Sequence, residues 1–335
     1  MRALICRAWG EVDSLKLEDV EPPVPKAGEV LIDVKATPVN FADVIMVRGQ
    51  YQTRPDFPFS PGLETAGVIA RCGDEVPGFG PGDRVMALLA HGGMAEQAVA
   101  DAGQTWRVPD GMDLEEASVF PVAYLSSHVA LRWQGRLEPG ETLLVLGAAG
   151  GVGLCAVEIG KALGARVIAA ASSDERLTVA RAHGADELVN YGTADLKAQM
   201  AALTEGKGAD VCFDPVGGPL FDQALSSLGW GGRVLLVGFV GGIPQIPANR
   251  LLVKHRAALG SSLRYFHFHA PDKLQRSMAE LLAWYREGRL KPLISARYPL
   301  ERAVEALRSL TDRRAIGKVV VCAAGDHTRQ TPGSG

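Results

Sequence analysis

The chain has 335 residues, more than an average domain contains, so its length favours two domains with a large buried core. Its 47% hydrophobic and 22% charged residues are ordinary for a soluble globular protein, and its net charge of −3 gives no reason to expect a nucleic acid or a membrane as partner. The start of the chain has no signal-peptide pattern, and no segment offers about 18 uninterrupted apolar residues. The five cysteines have no paired spacing, so we expect reduced thiols and a cytoplasmic protein.

The first hundred residues carry short β-like runs that Pro and Gly residues separate. This texture predicts a compact, barrel-like antiparallel β domain. The predicted strands are Glu29 to Lys35, Glu64 to Arg71, Arg84 to Leu88 and Met94 to Ala100. Asp113 and Glu116 then form a capping-box pattern, which predicts the start of a mainly helical bridge over residues 113–134.

Residues 143–171 follow in the order apolar run, glycine-rich turn, helical segment and second apolar run. Glycines in such a turn let a diphosphate approach backbone N–H groups, and the N-terminus of the helix starting near Gly151 adds positive partial charge. The pattern therefore predicts a dinucleotide site, although a glycine-rich turn in another kind of α/β domain is the alternative. The residues of this turn predicted to contact the cofactor are Gly147, Ala149, Gly150, Gly151, Val152 and Gly153.

The end of the second apolar run indicates which cofactor is bound. No carboxylate stands there; Ser172 and Ser173 follow the run, and Arg176 comes three residues later. Hydroxyl donors and a guanidinium suit the 2′-phosphate of NADPH, whereas an acid would repel it. Asp174 is the counter-evidence, and we interpret it as the cap of a helix that begins at Glu175. The alternative for Arg176 is a solvated helix surface.

Strands and helices continue to alternate up to about residue 237, which predicts a doubly wound parallel sheet. After Leu259 the pattern changes to a long amphipathic helix, a shorter helix near Leu300 to Leu310 and a final strand, Lys318 to Cys322. We expect this last part to return to the first domain, so that the nucleotide domain is an insertion. The predicted domains are 1–122 with 263–325, and 123–262, followed by a disordered tail at 326–335.

Nearly the whole chain resembles the zinc-independent quinone oxidoreductases (zeta-crystallin-like) of the medium-chain dehydrogenase/reductase superfamily. The segments that carry the resemblance are VNFADVIMVRGQY at 39–51, PGLETAGVI at 61–69, GDRVMAL at 82–88, AAGGVGLCAVEIGKALGA at 148–165 and GRVLLVGF at 232–239. The resemblance implies a GroES-like β-barrel catalytic domain with an inserted Rossmann domain, and a homodimer. It also implies NADPH-dependent reduction of a small-molecule quinone or of an activated C=C bond such as that of an enone.

The zinc-dependent alcohol dehydrogenases of the same superfamily are the natural rival. Their pattern has a Cys in the region of Asp43 and a His where this chain has Leu63, which cannot ligate zinc. The Cys quartet of their structural zinc, expected around residues 90–115, has no counterpart here. The histidines left for a metal are His91, His128 and the pair His267 and His269 in a predicted loop; we interpret the pair as surface residues. We therefore expect no metal.

Without a metal, the protein itself must stabilise the oxyanion that hydride transfer leaves and supply a proton. Asn40 can donate an amide N–H to the cofactor or to a substrate carbonyl, and the resemblance places the corresponding Asn near the nicotinamide; the alternative is a helix cap. Tyr51 can donate the proton from its phenol, although solvent could equally do so and the ring could simply line the pocket. Asp43 is interpreted as structural, bonded to neighbouring backbone or to Arg48.

The resemblance extends the cofactor site beyond the glycine turn. It assigns Ser127 to the cofactor, although the segment around it departs from the family pattern, and Tyr191 to the 2′-phosphate beside Ser172 and Arg176. It also places the nicotinamide against Phe239 and Val240 and near the backbone of Ser262 and Leu263; core packing is the alternative for these apolar contacts.

Two other functions stay open. One is reduction of a 2-enoyl (acryloyl-type) carboxylate or thioester, which needs a cation for the anionic group, with Arg48, Arg54 and Arg264 as candidates. The other is a non-catalytic NADPH-binding protein, such as a redox sensor. Turnover of NADPH with a small quinone, set against tight binding without turnover, separates these classes.

Overall fold

The computed structural model describes residues 1–323. The chain forms two compact units: a first unit of Met1–Pro121 together with the chain from Ile294 onward, and a second unit, Val122–Leu293. The predicted tail, 326–335, lies outside the described residues. In the described part no helix is both long and apolar enough to cross a membrane.

The first unit begins with a two-stranded antiparallel sheet and continues with further antiparallel strands. Its strands up to Pro121 are β1 (Arg2–Ile5), β2 (Lys16–Asp19), β3 (Glu29–Pro38), β4 (Glu64–Cys72), β5 (Arg84–Leu88), β6 (Gln97–Asp101) and β7 (Thr105–Arg107). Its helices are α1 (Phe41–Val47) and α2 (Leu114–Ser118). Asp113 caps α2 as its sequence predicts, because its carboxylate accepts the N–H of Glu115 at 2.7 Å.

The second unit alternates strands and helices after a helical entry. The entry is α3 (Leu125–His128), which follows a π-helical turn, Phe120–Tyr124, that begins at the end of the first unit, and precedes another, Val129–Gln134. The strands are β8 (Thr142–Leu146), β9 (Arg166–Ala171), β10 (Glu187–Asn190), β11 (Ala209–Asp214), β12 (Leu228–Leu236) and β13 (Ala257–Gly260). The helices are α4 (Gly151–Ala162), α5 (Asp174–Ala182), α6 (Leu196–Leu203), α7 (Gly218–Ser227), α8 (Ala248–Val253), α9 (Leu263–His269) and α10 (Pro271–Arg286).

These six strands form one sheet in the order β10-β9-β8-β11-β12-β13, and all neighbours are parallel. The predicted doubly wound sheet is therefore confirmed. Both faces are covered, which is why strands such as Leu143–Leu146 are apolar at every position and fully buried. The strand order reverses between β8 and β11, and at such a switch point the loops at the carboxyl ends of the strands leave a crevice.

The chain returns to the first unit through β14 (Ile294–Pro299), α11 (Ala303–Thr311) and β15 (Lys318–Cys322). β15 pairs antiparallel with β3, which places Val321 opposite Thr37. The main sheet then runs β14-β15-β3-β4-β5-β7, with β6 also paired to β3. Among the described residues, the strands from β14 to β7 therefore form one open sheet, and β6 pairs with β3 outside that order.

The second boundary differs from the expectation of 262/263. Residues 263–293 belong to the second unit, because the amphipathic helix α10 packs on the helical entry. His128 Nε2 lies 3.0 Å from a Glu280 carboxylate oxygen, and the Trp133 indole N–H donates to Ser277 Oγ at 2.9 Å. The hydrophobic pattern shows that a helix is amphipathic but not which domain covers its apolar face.

Candidate functional site

The glycine turn after β8 is shaped by close backbone approach. Gly147 has φ +57°, a conformation that L side chains rarely adopt. A Cβ on Gly153 would lie 2.1 Å from the Gly147 carbonyl oxygen, and one on Gly150 would lie 3.2 Å from it. Gly150 precedes α4, which begins at Gly151, so the predicted strand, turn and helix are in place. The N-terminal N–H groups of α4 face a turn whose only side chains are the methyl groups of Ala148 and Ala149, and this cradle fits a diphosphate.

All predicted cofactor residues of this unit except Ser127 lie at or just beyond the carboxyl ends of its parallel strands. Ser172 follows β9, Tyr191 follows β10, and Phe239 comes after β12. Ser262 and Leu263 come after β13, where Ser262 precedes α9. Because the strands are parallel, these loops share one edge of the sheet with the glycine turn. The structure thus brings together residues that are widely separated in sequence.

Ser172, Arg176 and Tyr191 surround the end of β9. The Tyr191 N–H donates to the Ala171 carbonyl at 3.0 Å, which places Tyr191 beside Ser172. A Cβ on Gly192 would lie 2.4 Å from the Ser172 carbonyl oxygen, so this approach requires glycine. Arg176 is partly buried in the first turn of α5. These groups can hold an anionic phosphate.

Asp174 is not the helix cap that its sequence predicts. Helix α5 begins at Asp174, and its cap is Ser173, whose hydroxyl oxygen accepts the N–H of Arg176 at 3.4 Å. Ser173 adopts the extended backbone that a cap requires, with φ −154° and ψ 156°. The Asp174 carboxylate instead accepts the Asn190 side-chain amide at 2.7 Å.

Ser127 lies away from the surface of the turn. Its hydroxyl, fully buried, is 2.9 Å from the carbonyl oxygens of both Ala123 and Val152. These contacts tie the helical entry to the first turn of α4. The buried Ser127 side chain thus stabilises the start of α4. Its predicted contact with the cofactor stays a prediction.

The turns that follow β11 and β12 pack on each other. A Cβ on Gly217 would lie 2.5 Å from the Gly242 carbonyl oxygen and 3.2 Å from the Phe239 ring. Phe239 and Val240 are about two-fifths exposed, at 41% and 39%, so they are not core residues. This exposure removes core packing as their explanation and leaves their side chains accessible to a ligand.

Asp214 at the end of β11 is a residue that sequence reasoning missed. Its Oδ1 accepts the N–H groups of Val216 and Gly217, both at 2.8 Å. Its Oδ2 is buried and has no hydrogen-bond partner among the described residues. Burial raises the pKa of this carboxyl. The available signal is a charged residue that ends an otherwise apolar strand before a Gly-Gly pair.

In the first unit, Asn40 is the centre of a buried polar cluster. Its Nδ2 donates to Glu64 Oε1 at 2.9 Å, and its Oδ1 accepts from Lys318 Nζ at 2.7 Å. Lys318 also donates to Glu64 Oε1 at 3.0 Å. Asn40 is the N-cap of α1 and forms a capping box with Asp43, as the cap alternative expects, and its amide is also bonded to Glu64 and Lys318. Sequence reasoning missed Lys318, whose signal is a lysine that opens the apolar strand KVVVC.

Asp43 fixes the backbone at the start of α1. Its Oδ2 accepts the Asn40 N–H at 2.8 Å, and its Oδ1 accepts the Gly62 N–H at 3.1 Å. Burial raises the pKa of the Asp43 carboxyl to about 7 despite these two bonds. The expected backbone contacts are therefore present, whereas Arg48 instead forms an ion pair with Glu11 at 2.6 Å.

Tyr51 lies in the loop that follows α1. The chain leaves the helix through Gly49, at φ +68°, and Tyr51 is partly exposed two residues later. A Cβ on Gly49 would lie 2.8 Å from the Trp9 ring, so the path of this loop depends on glycine. Tyr51 and Asn40 thus flank the two ends of α1.

The residues that stand where zinc ligands are expected do not fit a zinc ion. Both Asp43 oxygens accept backbone N–H groups, Leu63 has no donor atom, and the Glu64 carboxylate is already paired with the Lys318 ammonium. Within residues 1–323, no group of three or more His, Cys, Asp or Glu side chains is placed to hold a metal.

The histidines proposed as residual ligands lie in different settings. His267 and His269 belong to the helix α9 and not to a loop, and residues two apart on a helix do not face each other. His128 is fully buried against Glu280. His91 is exposed, and its ring packs against that of Phe59.

Comparison with known proteins identifies the family of both units. Residues 26–110 match the alcohol dehydrogenase GroES-like domain, and residues 151–284 match the family described as zinc-binding dehydrogenase. Quinone oxidoreductase-like protein 2 of Bos taurus is 38% identical over 92% of this chain and 88% of its own length. The human quinone oxidoreductase is 32% identical over 96% of this chain and 97% of its own.

The chain belongs to the quinone oxidoreductase-like family of the medium-chain dehydrogenases/reductases. The quinone oxidoreductase of Thermus thermophilus, solved also in complex with NADPH, superimposes with a TM-score of 0.84 at 34% identity, over 96% of this chain and all of that one. The fold class predicted from sequence, a GroES-like domain with a Rossmann-type parallel sheet, is therefore confirmed, and so is the family. Members of this family are oxidoreductases.

Proposed function

We propose that this oxidoreductase transfers hydride from NADPH to a quinone or to the activated C=C bond of an enone, without zinc. The observation that carries the proposal is the set of loops at one edge of the parallel sheet. The glycine turn lies on this edge, and so does the end of β9, where Ser172, Arg176 and Tyr191 are found. The NADPH complex of the similar Thermus thermophilus enzyme supports this choice of cofactor.

NADPH would be held by the turn from Gly147 to Gly153 at its diphosphate and by Ser172, Arg176 and Tyr191 at its 2′-phosphate. When bound, it supplies the hydride from its nicotinamide ring. The absence of a carboxylate directly at the end of β9 supports NADPH over NADH, and the nearest acid, Asp174, is bonded to Asn190. Ala149, Gly151 and Val152 contribute the backbone of the turn.

The first unit supplies the groups that handle charge and protons. Asn40 donates an amide N–H to the oxygen on which negative charge develops, and Tyr51 donates the proton from its phenol. Because Asn40 is buried, with 8% of its surface exposed, its hydrogen bond acts with little competition from water.

Removing the Tyr51 hydroxyl in Tyr51→Phe is expected to lower kcat for an enone about 10-fold or more. Unchanged turnover would make Tyr51 a pocket-lining residue.

The test is a screen of NADPH oxidation against quinones, enones and 2-enoyl acids, with NADPH binding measured in parallel by fluorescence. We expect tight NADPH binding and turnover with the quinone or enone class. Tight binding without turnover of any class supports a non-catalytic sensor, and failure to bind NADPH or NADH rejects the proposal.

The alternative of a carboxylate or thioester substrate receives less support. Of its three candidate cations, Arg48 is paired with Glu11, the Arg264 guanidinium lies 4.9 Å from the centre of the Phe268 ring, and Arg54 is exposed. Preferential turnover of 2-enoyl acids in the same screen would favour this alternative.

We also propose that the protein is a cytoplasmic homodimer. β13 ends the parallel sheet, so one side of this strand is unpaired in the described chain. Apolar side chains near this end of the second unit are largely exposed, namely Trp230, Ile243, Leu252 and Val253. A second copy that covers them would remove an apolar patch from water.

A further inference from the structure

Lys318 is buried in the first unit, with 5% of its surface exposed. Its ammonium donates to three oxygens: the Val39 carbonyl at 3.3 Å, Asn40 Oδ1 at 2.7 Å and Glu64 Oε1 at 3.0 Å. An ammonium has three N–H donors, so all of them are used within the protein. Lys318 therefore has no donor left for a substrate or for a phosphate of the cofactor.

The chemistry of Lys318 and Glu64 fixes the orientation of the Asn40 amide. An ammonium can only donate hydrogen bonds, so the Asn40 oxygen must face Lys318. A carboxylate can only accept them, so the Asn40 nitrogen must face Glu64. The reversed amide would place an NH₂ group against the ammonium and an oxygen against the carboxylate. Only one of the two amide orientations is thus compatible with this ion pair.

This orientation leaves one N–H of Asn40 for another partner. Nδ2 carries two hydrogens, and one is donated to Glu64. Nδ2 also lies 3.5 Å from the Pro38 carbonyl oxygen, which is the outer limit of a hydrogen bond. The backbone of Asn40 is held separately by Asp43, which accepts its main-chain N–H. Both the position and the rotation of the amide are therefore set before any ligand arrives.

The walls of this cluster are also fixed. Thr37 Oγ1 donates to the Gly93 carbonyl at 2.6 Å, and Thr65 Oγ1 donates to the Ala36 carbonyl at 3.0 Å. Thr65, next to Glu64 on β4, and Glu64 itself have no exposed surface. The strand that carries the Glu64 carboxylate is therefore held in place by hydrogen bonds next to it.

We propose that Lys318 and Glu64 are positioning residues that hold Asn40 in the single amide orientation in which its remaining N–H can stabilise the oxyanion of the reaction. This inference rests on the proposed function of Asn40. The ion pair acts through Asn40 and does not contact substrate. A preorganised donor of this kind accelerates the reaction because it needs no reorientation as charge develops.

The decisive variants are Lys318→Met and the double variant Lys318→Met/Glu64→Gln. Lys318→Met leaves the Glu64 carboxylate buried without its counter-ion and is expected to lower stability as well as activity. The double variant removes both charges, so we expect most of the stability to return. The glutamine amide that replaces the Glu64 carboxylate can both donate and accept, so it no longer dictates the orientation of Asn40.

We expect both variants to lower kcat with a quinone or enone about 10- to 100-fold while the Kd for NADPH stays unchanged. The control is Lys35→Met, the same substitution at an exposed lysine of β3, which is expected to keep the wild-type kcat. A double variant that recovers stability together with the wild-type kcat would show that the ion pair is only structural, and would overturn the proposal.

A measurement independent of turnover separates this inference from the proposed function. In the ¹⁵N-labelled protein, the Asn40 side-chain amide, assigned by its loss in Asn40→Asp, is expected to exchange slowly with solvent in the wild type and rapidly in the double variant. If no quinone or enone is turned over but this difference is seen, the positioning stands and the proposed reaction fails. Equal exchange in the two proteins overturns the positioning, whatever the activity.

Discussion

Asp43 has no exposed surface, and burial raises the pKa of its carboxyl from 3.8 in the unfolded chain to about 7 in the fold. Its neutral form is thus favoured in the folded protein, so its stabilising effect is complete below about pH 4 and is lost as the pH rises to about 7. A shift of this size corresponds to about 4 kcal/mol in the free energy of unfolding.

Asp43→Asn is therefore expected to flatten the pH dependence of stability. The variant is less stable at every pH, because its amide cannot accept both backbone N–H groups. Its free energy of unfolding, however, does not fall between pH 4 and 7 as that of the wild type does. Urea unfolding at pH 4.5 and 7.5 measures how the free energy of unfolding changes with pH in the wild type and in the variant. The control for removal of one carboxyl is Asp56→Asn, at an exposed position of the same unit. Parallel slopes in wild type and Asp43→Asn would contradict the prediction.

Arg176 is predicted to discriminate between the two nicotinamide cofactors. Arg176→Ala removes a charge-assisted contact to the 2′-phosphate, which NADH lacks, so KM for NADPH should rise about 10-fold or more while KM for NADH stays unchanged. Steady-state kinetics with both cofactors checks this. Arg181→Ala, in the same helix but bonded to the Asp186 carbonyl, is the matched control. An equal change for both cofactors would reject the phosphate contact.

At the scale of elements, the glycine turn and the start of α4 depend on each other's position. In Gly153→Ala the new Cβ would lie 2.1 Å from the Gly147 carbonyl oxygen, so the turn must open and the N–H groups of the cradle must move. We expect the Kd for NADPH to rise more than about 10-fold and the midpoint of thermal unfolding to fall by several degrees. Fluorescence titration and calorimetry measure the two effects.

The matched control is Gly80→Ala. A Cβ on Gly80 meets no atom within 4 Å, and its backbone does not adopt a positive φ, so the same substitution should leave both quantities as in the wild type. Wild-type NADPH binding by Gly153→Ala would mean that the turn does not form the diphosphate cradle.

At the scale of the whole molecule, the exposed apolar patch predicts the assembly. Sedimentation of the wild type should give about twice the monomer mass of 35.5 kDa. The substitutions Leu252→Lys and Val253→Lys, at side chains that are 78% and 67% exposed, should shift the equilibrium towards monomer. Val24→Lys, at an apolar residue of the first unit that is 71% exposed, is the control and should sediment as the wild type does. A wild type that sediments as a monomer contradicts the homodimer.

Local chemistry explains why so much of the fold was predictable from sequence. A strand buried on both faces must be apolar throughout, a tight turn needs glycine, and an antiparallel β domain divides its strands with Pro and Gly. The strands Arg84–Leu88 and Lys318–Cys322 have the predicted bounds, and α4 begins at the predicted Gly151. Each of these signals acts over a few neighbouring residues.

The sequence by itself determined the parallel sheet, the glycine turn and the candidates Ser172 and Arg176, because their signals are local. The family resemblance added Tyr191 and the placement of Asn40 near the nicotinamide. Only the tertiary structure decided that residues 263–293 belong to the second unit, that Ser173 and not Asp174 caps α5, and that Lys318 and Glu64 are bonded to the amide of Asn40. Lys318 lies far from Asn40 along the chain, and the antiparallel pairing of β15 with β3 brings them together. Such contacts depend on which elements pack together, and no periodicity or spacing in the chain encodes that directly.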